Sequence, residues 1–104
     1  MSVKFTHTYR EALQIENLLN MAKRNHIYSW IDGCQIQNDM LSLSIFHDVN
    51  NALSQYNLEE VNIGDFYGIP PTEIIPKMIL VCEKSGRENE FYFITGLYFM
   101  WKNS

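Results

Sequence analysis

The segment that decides the predicted fold class is residues 26–46, HIYSWIDGCQIQNDMLSLSIF. Its first part, His26–Ile31, is rich in β-branched and aromatic side chains, which favour extended structure. Asp32-Gly33 follows, and this dipeptide is typical of a tight turn between antiparallel strands. Met40–Phe46 then alternates apolar and polar side chains, the pattern of a strand with one buried face. The segment therefore predicts a hairpin, with Cys34–Gln37 as its return arm, and a further strand.

Helical patterns flank this segment on both sides. Thr8-Tyr9-Arg10-Glu11 has the form of a capping box. Apolar residues then recur at helical spacing up to Ala22, which predicts a first helix over residues 8–25. Asp48 is a suitable N-cap, and the apolar residues that follow it predict a short second helix over residues 48–57.

The C-terminal half predicts a second hairpin. Residues 58–76 contain three prolines, at positions 70, 71 and 76, and are predicted to form a long irregular connection. Loops of this length are uncommon in compact domains and are often functional. Met78–Glu83 and Glu90–Trp101 are predicted strands, separated by the polar turn 84–89. The second of these is apolar on both faces, which indicates a central strand or an interface.

These elements predict one α+β domain over residues 1–104, with an antiparallel sheet of about four to five strands and two helices packed on one face. Cys34 and Cys82 form no C-x-x-C motif and are expected to be reduced, buried thiols. The N-terminus lacks the apolar run of a signal peptide, and the longest apolar stretch, near Phe91–Trp101, is too short to cross a bilayer. The expected compartment is therefore the cytoplasm.

Charge is distributed unevenly along the chain. Residues 25–76 contain seven Asp or Glu and no Lys or Arg, whereas the net charge of the whole chain is −4. Such a segment creates a negative field, which repels nucleic acid and anionic lipid and attracts basic proteins. There are two alternative interpretations of this acidic segment: chance clustering of solubilising carboxylates, and a cation-binding site. We expect an acidic docking face and no direct contact with nucleic acid or membrane.

The candidate catalytic and metal-binding groups are isolated from one another. Neither cysteine follows a motif that would supply a base, and burial would raise the pKa of the Cys82 thiol. His26 and His47 are not paired at zinc-ligand spacing, so His47 is expected to be a hydrogen-bonded structural residue. Glu59-Glu60 are adjacent in an extended loop and point apart, unlike an acid–base pair. We therefore expect a non-enzymatic protein without metal or cofactor.

This profile of a small, acidic chain without a catalytic motif resembles that of dedicated protein inhibitors. Examples of the type are immunity proteins that neutralise nuclease toxins and phage inhibitors of bacterial defence enzymes. The resemblance implies that carboxylates of this protein enter a basic cleft of the partner, where the partner's arginines form charge-assisted hydrogen bonds with them. Aromatic side chains of this protein would act as anchors at the centre of the interface. The predicted partner-binding residues are Asp32, Asp39, Glu59, Glu60, Asp65, Tyr67 and Trp30.

Two other functions remain open at the level of sequence. The chain could be a small structural or self-associating module that uses Phe91–Trp101 as its contact surface, which leaves monomer and homodimer both possible. It could also be a small-molecule binder or an enzyme with a site under the Pro70-Pro71 loop.

Overall fold

The computed structural model describes residues 3–64 and 66–104, and this part of the chain is helical, with no β-strand. It contains four α-helices and one short 3₁₀ helix. In chain order these are α1 (Tyr9–Arg24), α2 (Tyr28–Gln55), the 3₁₀ helix (Pro71–Glu73), α3 (Ile74–Lys84) and α4 (Glu88–Lys102). None of the helices among the described residues is long and apolar enough to cross a membrane.

The predicted α+β fold is therefore wrong. Most of the 26–46 segment lies within α2, and the predicted strands of the C-terminal hairpin lie within α3 and α4. A strand over Met40–Phe46 would bury Leu43 on its apolar face. The helix instead exposes Leu43 and buries Ser42, whose hydroxyl donates to the Ile69 carbonyl at 2.7 Å. Strand propensities differ by only about 1 kcal/mol, so packing of this kind overrides them.

The first predicted helix is confirmed as α1. Thr8 is its N-cap and accepts a hydrogen bond from the Glu11 amide at 3.1 Å. The Glu11 carboxylate lies 3.0 Å from Nδ1 of His7. This hydrogen bond, helped by the Thr8 backbone, lowers the pKa of Glu11. The predicted second helix, 48–57, is the C-terminal part of the much longer α2.

Three of the helices end in the same Schellman motif, in which a residue with positive φ follows the helix and the next amide bonds back to a carbonyl five residues earlier. The residues with positive φ are His26, Asn57 and Gly86. The amides that bond back, each at 2.9 Å, belong to Ile27, Leu58 and Arg87. Short turns of this kind join α1 to α2 and α3 to α4, so the fold consists of two helical hairpins.

The core lies between the second hairpin and the C-terminal half of α2. Its fully buried residues include Ile45 and Leu53 of α2, Met78 of α3 and Leu97 of α4. Among the buried residues of α1, only Ala12 belongs to this core. The turn end of the first hairpin therefore extends beyond the core, which agrees with a longest dimension of 44 Å.

The connection between α2 and α3 is held by side chains of the helices. Asn50 donates through Nδ2 to the Val61 carbonyl and accepts at Oδ1 from the Val61 amide, both at 2.9 Å. Further along, the Thr72 hydroxyl donates to Glu16 of α1 at 2.8 Å. The irregular connection predicted at 58–76 is confirmed for residues 58–64 and 66–70, and helical structure resumes at residue 71. Pro76 lies in the first turn of α3, where a missing amide is tolerated.

Candidate protein-binding groove

The α2 helix encloses a groove of about 380 Å³ together with Ile63 and residues 66–68 of the connection, and this groove is here called the α2 groove. Its buried lining includes two aromatic rings, Phe46 and Phe66, whose centres are 4.9 Å apart. Leu43, Asp39 and Tyr67 line the groove and are exposed. The α2 lining residues lie on one side of that helix because they recur three, four and seven positions apart. The groove therefore combines an apolar interior with an accessible carboxylate.

Carboxylates lie along the groove side of α2. Gln35, one turn before Asp39, donates from Nε2 to the Asp39 carboxylate at 2.9 Å. Asp32 lies seven residues before Asp39 and so projects from the same side of α2, about 10 Å away along the helix axis. Lys77 of α3 places its Nζ 5.8 Å from the centre of the Phe66 ring, so a cation also borders this region. The groove side of α2 itself carries only negative charge.

The structure brings two of the predicted partner-binding residues, Asp39 and Tyr67, together at the α2 groove. Asp32 extends this group along α2. Trp30 lies on the opposite side of α2 from Asp32, because two residues of a helix are separated by about 200°. Trp30 is half exposed and does not line the groove. Asp65 lies outside the described residues.

Glu59 and Glu60 belong to a second group near the start of α4. The Arg87 guanidinium donates to the carbonyls of both residues. It also lies 3.7 Å from the Glu59 carboxylate and 3.8 Å from that of Glu90. The Glu59 amide donates to Glu90 at 3.1 Å. Arg87 thus offsets part of the negative charge here, and the predicted acidic residues form two separate groups.

Asn50 shows how far apart these two groups are. Asn50 is hydrogen-bonded to the backbone of Val61, the residue after Glu60. It lies eleven residues after Asp39 in α2. That spacing corresponds to about 16 Å of helix. One compact partner site is therefore centred on Asp39 or on Glu59 and Glu60, and Asp39 lies at the edge of the α2 groove.

Sequence reasoning missed an apolar ridge beside the groove. Ile36, Met40 and Leu43 are 60%, 64% and 44% exposed and succeed one another at intervals of four and three residues. This spacing places them on one side of α2, and Leu43 also lines the groove. The signal was present in the sequence, but it is visible only if the segment is treated as a helix. A strand would separate Met40 from Leu43.

The chemically reactive side chains are dispersed. Burial raises the pKa of the Cys82 thiol. Cys34 is half-buried, so the expectation that both thiols are buried is wrong for Cys34. His47, expected to be structural, is exposed on α2 with its ring centre 5.9 Å from that of Phe46. Among the described residues, no three His, Cys, Asp or Glu side chains lie close enough together to hold a metal ion.

A second, polar cavity of about 400 Å³ lies between α1, α2 and residues 68–73. It reaches Pro70, and so occupies the position expected for a small-molecule site under the Pro70-Pro71 loop. Asn38 of α2 borders it and is buried, and Oδ1 of Asn38 has no hydrogen-bond partner among the described residues. The remaining lining combines acidic, basic and amide side chains with two leucines, Leu13 and Leu19.

Comparisons of the chain with protein-family models, with curated proteins and with solved structures find no match. No relative therefore assigns a role to the α2 groove.

Proposed function

We propose that the protein is a non-enzymatic inhibitor that binds a basic partner protein at the α2 groove. The partner is of the kind whose cationic surface normally binds nucleic acid. The observation that carries the proposal is the position of Asp39, an exposed carboxylate at an apolar groove, in a half of the chain that contains no Lys or Arg. A partner arginine or lysine would form a charge-assisted hydrogen bond with Asp39 while a neighbouring apolar side chain enters the groove.

The apolar surface around Asp39 supports a protein partner. The exposed side chains of Ile36 and Met40 extend the groove into a larger contact surface. Tyr67 is 76% exposed and offers an aromatic anchor. Protein interfaces combine such an apolar, aromatic centre with a polar rim, and their energy is concentrated in a few central residues.

Charge favours a basic partner over a second copy of the chain at this surface. Asp39 lies next to Met40, at the middle of the ridge that runs from Ile36 to Leu43. Pairing two such ridges, whether parallel or antiparallel, would bring the two Asp39 carboxylates close together at the centre. Like charges in that position oppose association, whereas a cationic partner is attracted and steered towards the groove.

The test uses Asp39→Lys, with Glu83→Lys as its matched control. Glu83 is exposed on α3, outside the groove, and the control changes the net charge by the same amount. Wild-type and variant proteins are immobilised, and each column captures proteins from the native lysate at low salt, about 50 mM, and high salt, about 500 mM. We expect the same basic protein on the wild-type and Glu83→Lys columns, with binding about tenfold weaker or more on Asp39→Lys.

Two results would contradict this proposal. Equal capture by Asp39→Lys and Glu83→Lys would place the contact outside the groove, and capture that does not weaken with salt would remove the electrostatic argument. Thermal unfolding of each variant confirms that the domain remains folded. Leu43→Ser, at the junction of ridge and groove, tests the apolar contribution separately and is expected to weaken capture at both salt concentrations.

A further inference from the structure

The outward face of α4 carries a regular row of exposed side chains, here called the α4 seam. Tyr92 and Phe99 are 68% and 61% exposed, seven residues apart, on the side of α4 opposite its buried residues. The remaining seam residues are small or uncharged and also exposed, so that the seam consists of Asn89, Tyr92, Gly96, Phe99 and Asn103. Their spacing alternates between three and four residues, which is the pattern of a helix that packs along another helix.

Gly96, at the centre of the seam, has no role within one copy of the fold that requires glycine. A Cβ placed there would meet no atom within 4 Å. Glycine is the least favourable residue after proline in the interior of a helix. What Gly96 does provide is a notch between two exposed aromatic rings, where a side chain from another helix can approach the backbone closely.

We propose that the α4 seam is a two-fold interface whose occupant is a second copy of this chain, with the two α4 helices antiparallel. In one antiparallel register, Tyr92 of each copy packs over the partner's Gly96. The same register places Phe99 against the partner's Asn89. A two-fold interface must be complementary to itself, and this seam meets that requirement by pairing a large residue with a small one at both of its central positions.

Charge at the two ends of α4 selects the antiparallel orientation. Glu88 begins the helix and Lys102 ends it, each one position before a seam residue, and the seam between them is uncharged. In the register above, Glu88 lies beside the partner's Lys102, and the two helix dipoles are also opposed favourably. A parallel pair would instead bring together two glutamates at one end and two lysines at the other.

The size of the seam sets the strength of the expected dimer. A single pair of helices buries roughly 1,000 Å² in total, the lower limit for a specific interface. The dimer should therefore depend on concentration, with a dissociation constant in the micromolar range, of about 1–100 μM. This interface is separate from the α2 groove, so it does not depend on the function proposed above.

The decisive experiment is a charge exchange measured by sedimentation equilibrium. Glu88→Lys places two lysines beside each other at both ends of the interface, and Lys102→Glu does the same with two glutamates. Each single variant should dimerise about tenfold more weakly than wild type. An equimolar mixture of the two variants, and the double variant that carries both changes, restore opposite charges at both ends and should recover dimerisation.

A matched pair of glycine variants tests the notch. Gly96→Leu fills it and should abolish dimerisation, whereas Gly33→Leu in the exposed part of α2, where a Cβ also meets no atom within 4 Å, should not. Lys102 also lies over the rings of Tyr9 and Tyr98, so thermal unfolding is compared for every variant.

Two results would overturn the proposal. One is a wild-type chain that is monomeric up to about 1 mM. The other is a dimer whose strength is unchanged in both charge variants and in Gly96→Leu, since such a dimer uses a different surface.

Discussion

The two helical hairpins of this fold share one turn geometry but differ in how they are buried. In both, the last residue of the turn precedes the second helix with nearly identical backbone angles, φ −89° and ψ 80° at Ile27 and φ −88° and ψ 75° at Arg87. The residue with positive φ is His26 in the first turn and Gly86 in the second. Unrelated sequences thus form the same turn, because the backbone hydrogen bonds of the helix ends require it.

The surroundings of the hairpins differ. Both helices of the second hairpin contribute fully buried residues to the core, such as Met78 and Leu97. The first hairpin joins the core mainly through the C-terminal half of α2, and its turn end leaves Tyr28 and Ile36 exposed. Two hairpins with nearly the same turn geometry therefore differ in how much of their surface is buried. The less buried hairpin is also the one that supplies the apolar ridge and the carboxylates of the α2 groove.

The largest difference between the hairpins should appear when one buried leucine is removed from each. Leu97→Ala deletes a side chain from the centre of the core and should cost about 3–4 kcal/mol of unfolding free energy. Leu19→Ala, in the part of α1 outside the core, should cost about 2 kcal/mol because neighbouring groups can relax into the space. Urea unfolding of both variants measures the difference. An equal or larger loss for Leu19→Ala would mean that the first hairpin is as tightly packed as the second.

Cysteine labelling compares local opening in the two hairpins. Cys34 lies half-buried in the protruding part of α2, whereas Cys82 is fully buried in α3 and burial raises its thiol pKa. Since the thiolate is the reactive form, Cys34 should react with iodoacetamide at least about a hundredfold faster under native conditions. Mass spectrometry of the labelled peptides measures both rates. Similar rates, with similar dependence on urea, would show that both cysteines become accessible only through global unfolding.

The smallest predicted effect concerns the turns themselves. Gly86→Ala forces a side chain into the left-handed region and should destabilise the protein by about 1 kcal/mol. His26→Gly removes the same strain from the first turn and should stabilise it by about 0.5 kcal/mol, since part of the gain is lost to the greater freedom of glycine in the unfolded chain. Thermal unfolding reports both values. The two substitutions must change the free energy of unfolding in opposite directions. If both destabilise the protein, His26 makes a contact that contributes more than its backbone strain costs.

The candidate site was only partly predictable from the sequence. The absence of cations from residues 25–76 identified Asp39 as a partner-binding candidate, and the resemblance to protein inhibitors added Tyr67 as an aromatic anchor. The structure places both at one groove. The same resemblance also selected Trp30 as an anchor, but Trp30 lies on the other side of α2 from Asp32. Composition and charge do not show which residues lie on the same face of an element. The face of each residue depends on whether the element is a helix or a strand, because successive side chains are arranged differently in the two.

The sequence by itself determined the elements whose signals are local. The Thr8 cap and the helical spacing after it identified α1, and the polar residues 84–89 identified the second hairpin turn. The prolines identified the irregular connection only as far as Pro70, because Pro71 and Pro76 lie in helical segments. These features depend on side chains that bond to the nearby backbone or on rings that restrict it. Contacts with the rest of the molecule are not needed to form them.

Only the tertiary structure decided that residues 28–47 and 74–102 are largely helical. These segments carry apolar residues on several sides, so their patterns fit a strand as well as a helix, and the local preferences differ by only about 1 kcal/mol. Each fully buried Leu or Ile contributes about 1.5–3 kcal/mol, and the helical arrangement buries Ile45, Leu53 and Leu97 in one core. The sum of such long-range contacts exceeds the local preferences, and it therefore selects the helix.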